Sequence, residues 1–227
     1  MASAGFADEV LVADAGSTDG TVAAARAAGA TVIERTGPTI AAQRNAAIAA
    51  ARHRWIFALD ADERITPALA AELGAVLAAP AHAAYRVRRQ NFYLGVEQTR
   101  GGWARDWVAR LFGNDLRYIE RRVHEGLEPV ADTGDLAGTL LHRPYRSLAH
   151  HLDKLHRYAE WGAADLWDRG ERATWSDLAL RPAGRFIKAY LFGGGVLEGR
   201  RGLVHAGLDA YAGFLKYAHL WAREQQE

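Results

Sequence analysis

Short apolar runs alternate with helix-length segments through the first third of the chain. Val10-Leu11-Val12 reads as a buried strand ending at Asp14, and Thr21 to Ala28 as a helix with Asp19 or Thr21 near its N-cap. Thr31-Val32-Ile33 is a second strand, and Pro38 to Ala51 a second helix with Pro38 suited to its first turn. Trp55 to Leu59 is wholly apolar and stops at Asp60-Ala61-Asp62-Glu63; Pro67 to Leu77 closes the pattern as a third helix. Strands alternating with helices of this length predict an α/β fold: a mostly parallel sheet sandwiched by helices.

The pattern then changes. Tyr85-Arg86-Val87-Arg88 and Trp107 to Phe112 alternate apolar and polar positions, as half-exposed antiparallel strands do, with turn-rich breaks at Gly95 to Gly102 and Gly113 to Asp115. Thr139-Leu140-Leu141 is an apolar strand ending at His142. Beyond it Leu148, Leu152, Leu155, Ala159, Ala163 and Leu166 recur at three- and four-residue steps and form one amphipathic stripe. A helix over Arg181 to Leu191 breaks at Gly193-Gly194-Gly195, and Leu203 to Trp221 is again helix-periodic. The predicted division is residues 1–145 as an α/β domain and 146–227 as a helical tail.

Composition narrows the classes. The chain has 227 residues, 49% of them hydrophobic, with 28 Lys+Arg against 27 Asp+Glu and no cysteine. That excludes wholesale disorder, a disulfide scaffold, a thiolate zinc site and a cysteine nucleophile. The near-neutral balance argues against a nucleic-acid partner. Met1 to Ala7 has no basic, apolar leader pattern and no window is apolar enough to span a bilayer, so a cytoplasmic protein is expected. Basic residues beside aromatic-rich tail helices (Arg185, Lys188, Arg200 and Arg201 near Phe186 and Tyr190) suit either an anionic membrane surface or packing on the first domain.

Chemistry gathers where apolar strands end, the place at which open α/β sheets bind ligands. Asp14 opens Asp14-Ala15-Gly16-Ser17-Thr18-Asp19-Gly20-Thr21, a polar turn feeding a helix. The turn is suited to an anionic ligand, or is an ordinary strand-to-helix connection capped by Asp19. Asp60 and Asp62, one residue apart, offer oxygen ligands to a hard divalent cation whose shell a nucleotide diphosphate would complete, or form a solvated acidic turn. Strand-end carboxylate pairs also occur in phosphotransferases, but no convincing second acidic cluster follows.

In order and spacing, Val12 to Thr21, Gln43-Arg44-Asn45 and Leu59 to Glu63 resemble the family 2 glycosyltransferases, which have the A-type nucleotide-diphospho-sugar transferase fold. The resemblance continues through Trp107 to Phe112, Val123-His124-Glu125 and His142-Arg143-Pro144-Tyr145, and is strongest to the bacterial lipopolysaccharide-core transferases. It implies a metal-dependent inverting enzyme that moves a hexosyl or heptosyl unit from a UDP- or other nucleotide-sugar to a cell-envelope glycolipid or polysaccharide. Such an enzyme would work in the cytoplasm or peripherally on the cytoplasmic face of the inner membrane.

Residue by residue, the resemblance places Asp14, Gly16, Ser17, Asp19, Arg44, Asn45 and Asp60 at the donor, and Asp62 with Asp60 and His142 at Mg²⁺ or Mn²⁺. Glu125 is the expected base, with Asp106 the alternative. Trp103, Trp107 and His124 are assigned to the acceptor side, against packing roles for all three. The family pattern also implies an opening strand–helix unit ahead of the Asp14 strand; it is expected to be absent here, exposing a sheet edge and part of the base pocket. The competing expectation is therefore a shortened, inactive relative that binds a membrane or a partner.

Overall fold

The computed structural model describes residues 2–34, 37, 39–100, 102–120 and 126–226. The chain forms two compact units: Met1–Gln90 with Asp106–His142, and Asn91–Arg105 with Arg143–Glu227.

In the first unit β1 (Leu11–Asp14) pairs in parallel with β2 (Thr31–Glu34), the two joined by α1 (Thr21–Ala27) as parallel neighbours require. α2 (Ile40–Ala50) packs against β1. It starts after Thr39, whose extended backbone and hydroxyl, accepting from Ala42 N at 3.1 Å, cap it. Pro38, expected in the first turn, lies outside the described residues. A second sheet follows the order β3 (Trp55–Phe57), β7 (Trp107–Gly113), β5 (Ala84–Tyr93), β8 (Thr133–Tyr145) and β4 (Glu63–Ile65). Here β3–β7, β5–β7 and β4–β8 are antiparallel, so the strands overall are mixed in direction. Three-residue β4, formed directly after the acidic turn, is too short to leave a periodic signal.

Successive residues on the central strands serve opposite faces. Tyr85, Val87 and Leu111 meet Leu69 and Leu73 of α3 (Pro67–Ala78), together with Leu136 and Leu140 of β8. Their immediate neighbours Ala84 and Phe112 meet Ala41 and Ile48 of α2 from the other side. Helices thus cover both faces, as the α/β pattern requires.

In the second unit β6 (Val96–Glu97) pairs with the end of β5, and α6 (Arg200–Glu224) packs on both α4 (Leu148–Asp168) and α5 (Trp175–Ile187) around Ala163, Leu166, Tyr217 and Leu220. The α4 stripe buries Ala159, Ala163 and Leu166, whereas Leu148 in its first turn is exposed. α5 begins earlier than its apolar residues suggest, because Thr174 and Asp177 form a reciprocal capping box. A single π turn, Lys188–Phe192, ends it. Among the described residues no helix is long and apolar enough to cross a membrane.

Leu69 is fully buried against four strands' worth of side chains. Leu69→Ala should destabilise the first unit by about 2–5 kcal/mol, transfer loss plus cavity, read by urea unfolding with an unchanged m-value.

Candidate active site

The centre of the first unit's polar chemistry is a guanidinium. Arg110 on β7 is 4% exposed and reaches the turn between β3 and β4, donating to Asp60 Oδ2 at 2.5 Å and to Glu63 Oε1 at 2.6 Å. β7 pairs with β3 through Ile56↔Phe112 and Phe57↔Leu111, so Arg110 falls on the strand just where the acidic turn begins. Arg44, sent across from α2, takes Asp60 Oδ1 at 2.5 Å and lies over the Tyr118 ring at 4.7 Å. Asp60 is therefore held between two arginines, and its backbone N–H donates to Glu63 Oε2 at 3.0 Å.

Burial pushes the Asp60 carboxyl up, but the two guanidiniums prevail and hold it at about 2. Glu63, fully enclosed, is pushed up by burial and by Asp60's charge against the pull of Arg110. Burial opposes the charged form of Arg110 as well, and the two carboxylates more than offset it.

The network extends through Arg89 on β5. Its Nε and Nη2 donate to Asp106 at 2.8 and 3.0 Å, a bidentate pair, and its Nη1 is 3.6 Å from Glu63. His142 Nε2 lies 3.6 Å from Asp62 Oδ1, in register opposite Glu63 where β8 pairs with β4. Burial, reinforced by Arg89's charge, lowers the His142 imidazole to about 4. It is therefore neutral at pH 7, the form that binds metals.

Five residues singled out in the sequence (Arg44, Asp60, Asp62, Asp106 and His142) thus belong to one charged cluster. Glu63, Arg89 and Arg110, to which the sequence analysis gave no site role, frame it; Glu63 and Arg110 fall within quoted motifs, and the signal for Arg110 was a lone arginine in the otherwise apolar run Trp107 to Phe112. Other candidates are engaged in local structure. Asp14, buried, accepts from Gly16 N, Ser17 N and Ser17 Oγ at 2.8, 2.9 and 2.5 Å, bonds that lower its carboxyl, with the Ser17 hydroxyl first among them. This turn uses Gly16 at φ 103°, a left-handed conformation that glycine adopts freely. Asp19 accepts from Thr21 N at 3.0 Å one residue ahead of the N-cap of α1, which is Gly20 and has no side-chain cap.

Asn45 exchanges hydrogen bonds with the backbone of Tyr118, at 2.9 and 2.8 Å. Trp103 belongs to the second unit, and Trp107 on β7 lies beside Arg86, 5.9 Å from ring centre to guanidinium. His124 and Glu125 lie outside the described residues. No three Asp, Glu or His side chains converge as a metal-ligand group among the described residues, since Asp60 faces arginines while Asp62 faces His142.

The helix-flanked mixed sheet with carboxylates at its strand ends is consistent with a nucleotide-sugar transferase type of fold. Residues 4–133 match the profile of Glycosyl transferase family 2, and the chain belongs to that family. It is 29% identical over 224 residues to the lipopolysaccharide core biosynthesis glycosyltransferase LpsC of Rhizobium meliloti, covering 95% of this chain and 83% of that one. It is 27% identical over 226 residues to an uncharacterized glycosyltransferase of Rickettsia prowazekii, covering 94% and 77%.

Arg110→Ala leaves Asp60 and Glu63 without their shared buried cation. It should cost about 3–5 kcal/mol in a chemical-denaturation measurement.

Proposed function

We propose that this glycosyltransferase moves a hexosyl or heptosyl unit from a nucleotide-diphosphate donor to a hydroxyl of a lipopolysaccharide-core-type glycolipid or polysaccharide, with inversion. The observation that carries the proposal is the Asp62–His142 pair set beside the Asp60–Arg44–Arg110–Glu63 network. The similarity to LpsC supports the acceptor class.

The pair fits a divalent cation of the Mg²⁺ or Mn²⁺ type. One carboxylate and one neutral imidazole supply part of a shell that substrate phosphates and water complete. When bound, the metal neutralises charge developing on the leaving diphosphate. Asp60 does its work through arginine: by fixing Arg44 and Arg110 it sets the positive side of the site, and Arg44 is suited to diphosphate oxygens. Asp14, Gly16, Ser17 and Asp19 shape the turn at which the donor nucleoside docks, and Asn45 holds the Tyr118 backbone in place.

The acceptor hydroxyl oxygen attacks the anomeric carbon, the bond from that carbon to the diphosphate oxygen breaks, and the hydroxyl proton passes to a base. Asp106 is engaged by Arg89 through both oxygens, which favours Glu125 as that base, with its sequence neighbour His124 assigned to the acceptor.

Asp62→Ala should abolish Mn²⁺-dependent UDP binding in titration calorimetry and lower transfer by about 100-fold or more while leaving the circular dichroism unchanged. Glu125→Gln should lose transfer by about 10²–10⁴-fold and keep UDP binding, separating base from donor site. Full activity in either variant removes that residue from its role.

The proposed workplace is the cytoplasmic face of the inner membrane. Phe192 and Leu197 are 83% and 68% exposed, and Lys188, Arg200 and Arg201 stand near them in the sequence, a combination suited to an anionic bilayer surface. The double variant Phe192→Asp/Leu197→Asp should lose co-sedimentation with phosphatidylglycerol vesicles; undiminished binding would discard this surface.

A further inference from the structure

The second unit holds a cavity of about 280 Å³; of its lining residues only Trp103 was given a role above, on the acceptor side. It lies among the turn bearing Trp103, the end of β8, the start of α4, the π turn and the first turns of α6. Trp103 and Tyr145 supply aromatic walls, Tyr145 stacked on His151 at 3.7 Å and Trp103 edge-on to His205 at 4.6 Å.

His151 is almost fully buried and placed by the Tyr93 hydroxyl, 3.1 Å from its Nδ1. Burial lowers both imidazoles, His151 to about 4, so each is uncharged at pH 7; a neutral imidazole donates through one nitrogen and accepts through the other, and His151, its Nδ1 taken by Tyr93, offers Nε2. Glu198 and Asp209 add carboxylates, Asp209 fixed by its ion pair with Arg185. The far wall is bare backbone. A Cβ on Gly202 would lie 1.9 Å from the Gly195 carbonyl oxygen, so the first turn of α6 approaches the glycine loop too closely for any side chain.

These features select a ligand class. Arg185 takes up the charge of Asp209, so Glu198 stands against the single guanidinium Arg100; the lining carries no net positive charge, which disfavours a phosphate or a nucleotide diphosphate. The volume lies near the low end of small-molecule sites, roughly 300–1,000 Å³, and suits one ring better than a nucleotide sugar. Aromatic faces combined with acceptor carboxylates and neutral imidazoles match a ring that is apolar on its faces and hydroxylated around its edge.

We propose that this cavity is a saccharide subsite that takes one neutral sugar ring of the acceptor against Trp103 and Tyr145, its hydroxyls bonded by His151, His205, Glu198 and Asp209. The assignment rests on the glycosyltransferase reading and adds to it the unit that selects the acceptor. The donor site belongs to the other unit and is measured separately.

The test is saturation-transfer NMR on the full chain with lipid-free lipopolysaccharide core oligosaccharide as the probe, in parallel with calorimetry of UDP and Mn²⁺. Glu198→Gln and His205→Ala should each weaken oligosaccharide binding by about tenfold or more while UDP affinity is unchanged. Thermal melting verifies that each variant is folded. If His205→Ala is not, the near-isosteric Glu198→Gln decides the matter. Oligosaccharide affinity unchanged in the folded variants, or no oligosaccharide binding by the parent chain, overturns the subsite. Absence of UDP binding in the parent chain counts instead against the donor assignment and leaves the oligosaccharide result to decide the cavity.

Discussion

A guanidinium taken out of water must find its charge partners inside the protein, and Arg110 finds two on the same short turn. Isolated burial of such a cation costs several kcal/mol, so the strand bearing Arg110 and the turn bearing Asp60 and Glu63 are each stable only when the other is in place. The constraint runs outward from there. Asp60 can accept from Arg44 only if α2 lies across the sheet, and α2 lies there because Ala41 and Ile48 pack on Ala84 and Phe112. Apolar packing chooses the layers, and the ion-paired turn fixes their register.

The same arrangement divides labour between two aspartates one residue apart. Asp60 is drawn inward and neutralised by arginine, whereas Asp62 is directed to a histidine on another strand. Successive residues in extended chain point to opposite sides, but positions i and i+2 share a side. The turn beginning at Asp60 breaks that rule and lets two acidic groups face different partners. His142 completes the separation: surrounded by both signs of charge and sequestered from water, it remains uncharged.

Legibility followed the range of the physics. Val10 to Val12, Trp55 to Leu59 and the helix from Pro67 could be read because their signals lie within one element, and each of these strands and helices forms within a few residues of the expected place. Strand direction was harder, since an apolar run reads the same whether its neighbour is parallel or antiparallel, and the antiparallel partner of β3 is the distant β7, Phe57 facing Leu111. The acidic turn was legible as a site, but the arginine that organises it was not. Arg110 sits in an alternating strand where a polar residue is expected to face solvent, and only the tertiary structure turns that side of the strand inward. Asn45 is similar: its pairing with Tyr118 spans 73 positions and leaves no local trace.

That asparagine has a consequence for how the enzyme can change over time. Its amide substitutes for a neighbouring strand, clasping Tyr118 through both backbone groups, and Tyr118 pairs in turn with Leu127 while Ile119 N donates to the Gly126 carbonyl. Both amide bonds meet main-chain atoms of residue 118, so they place no demand on the side chain there and every demand on position 45. Over time the asparagine is the position that resists drift: an aspartate would keep the acceptor for the Tyr118 N–H but lose the donor to its carbonyl.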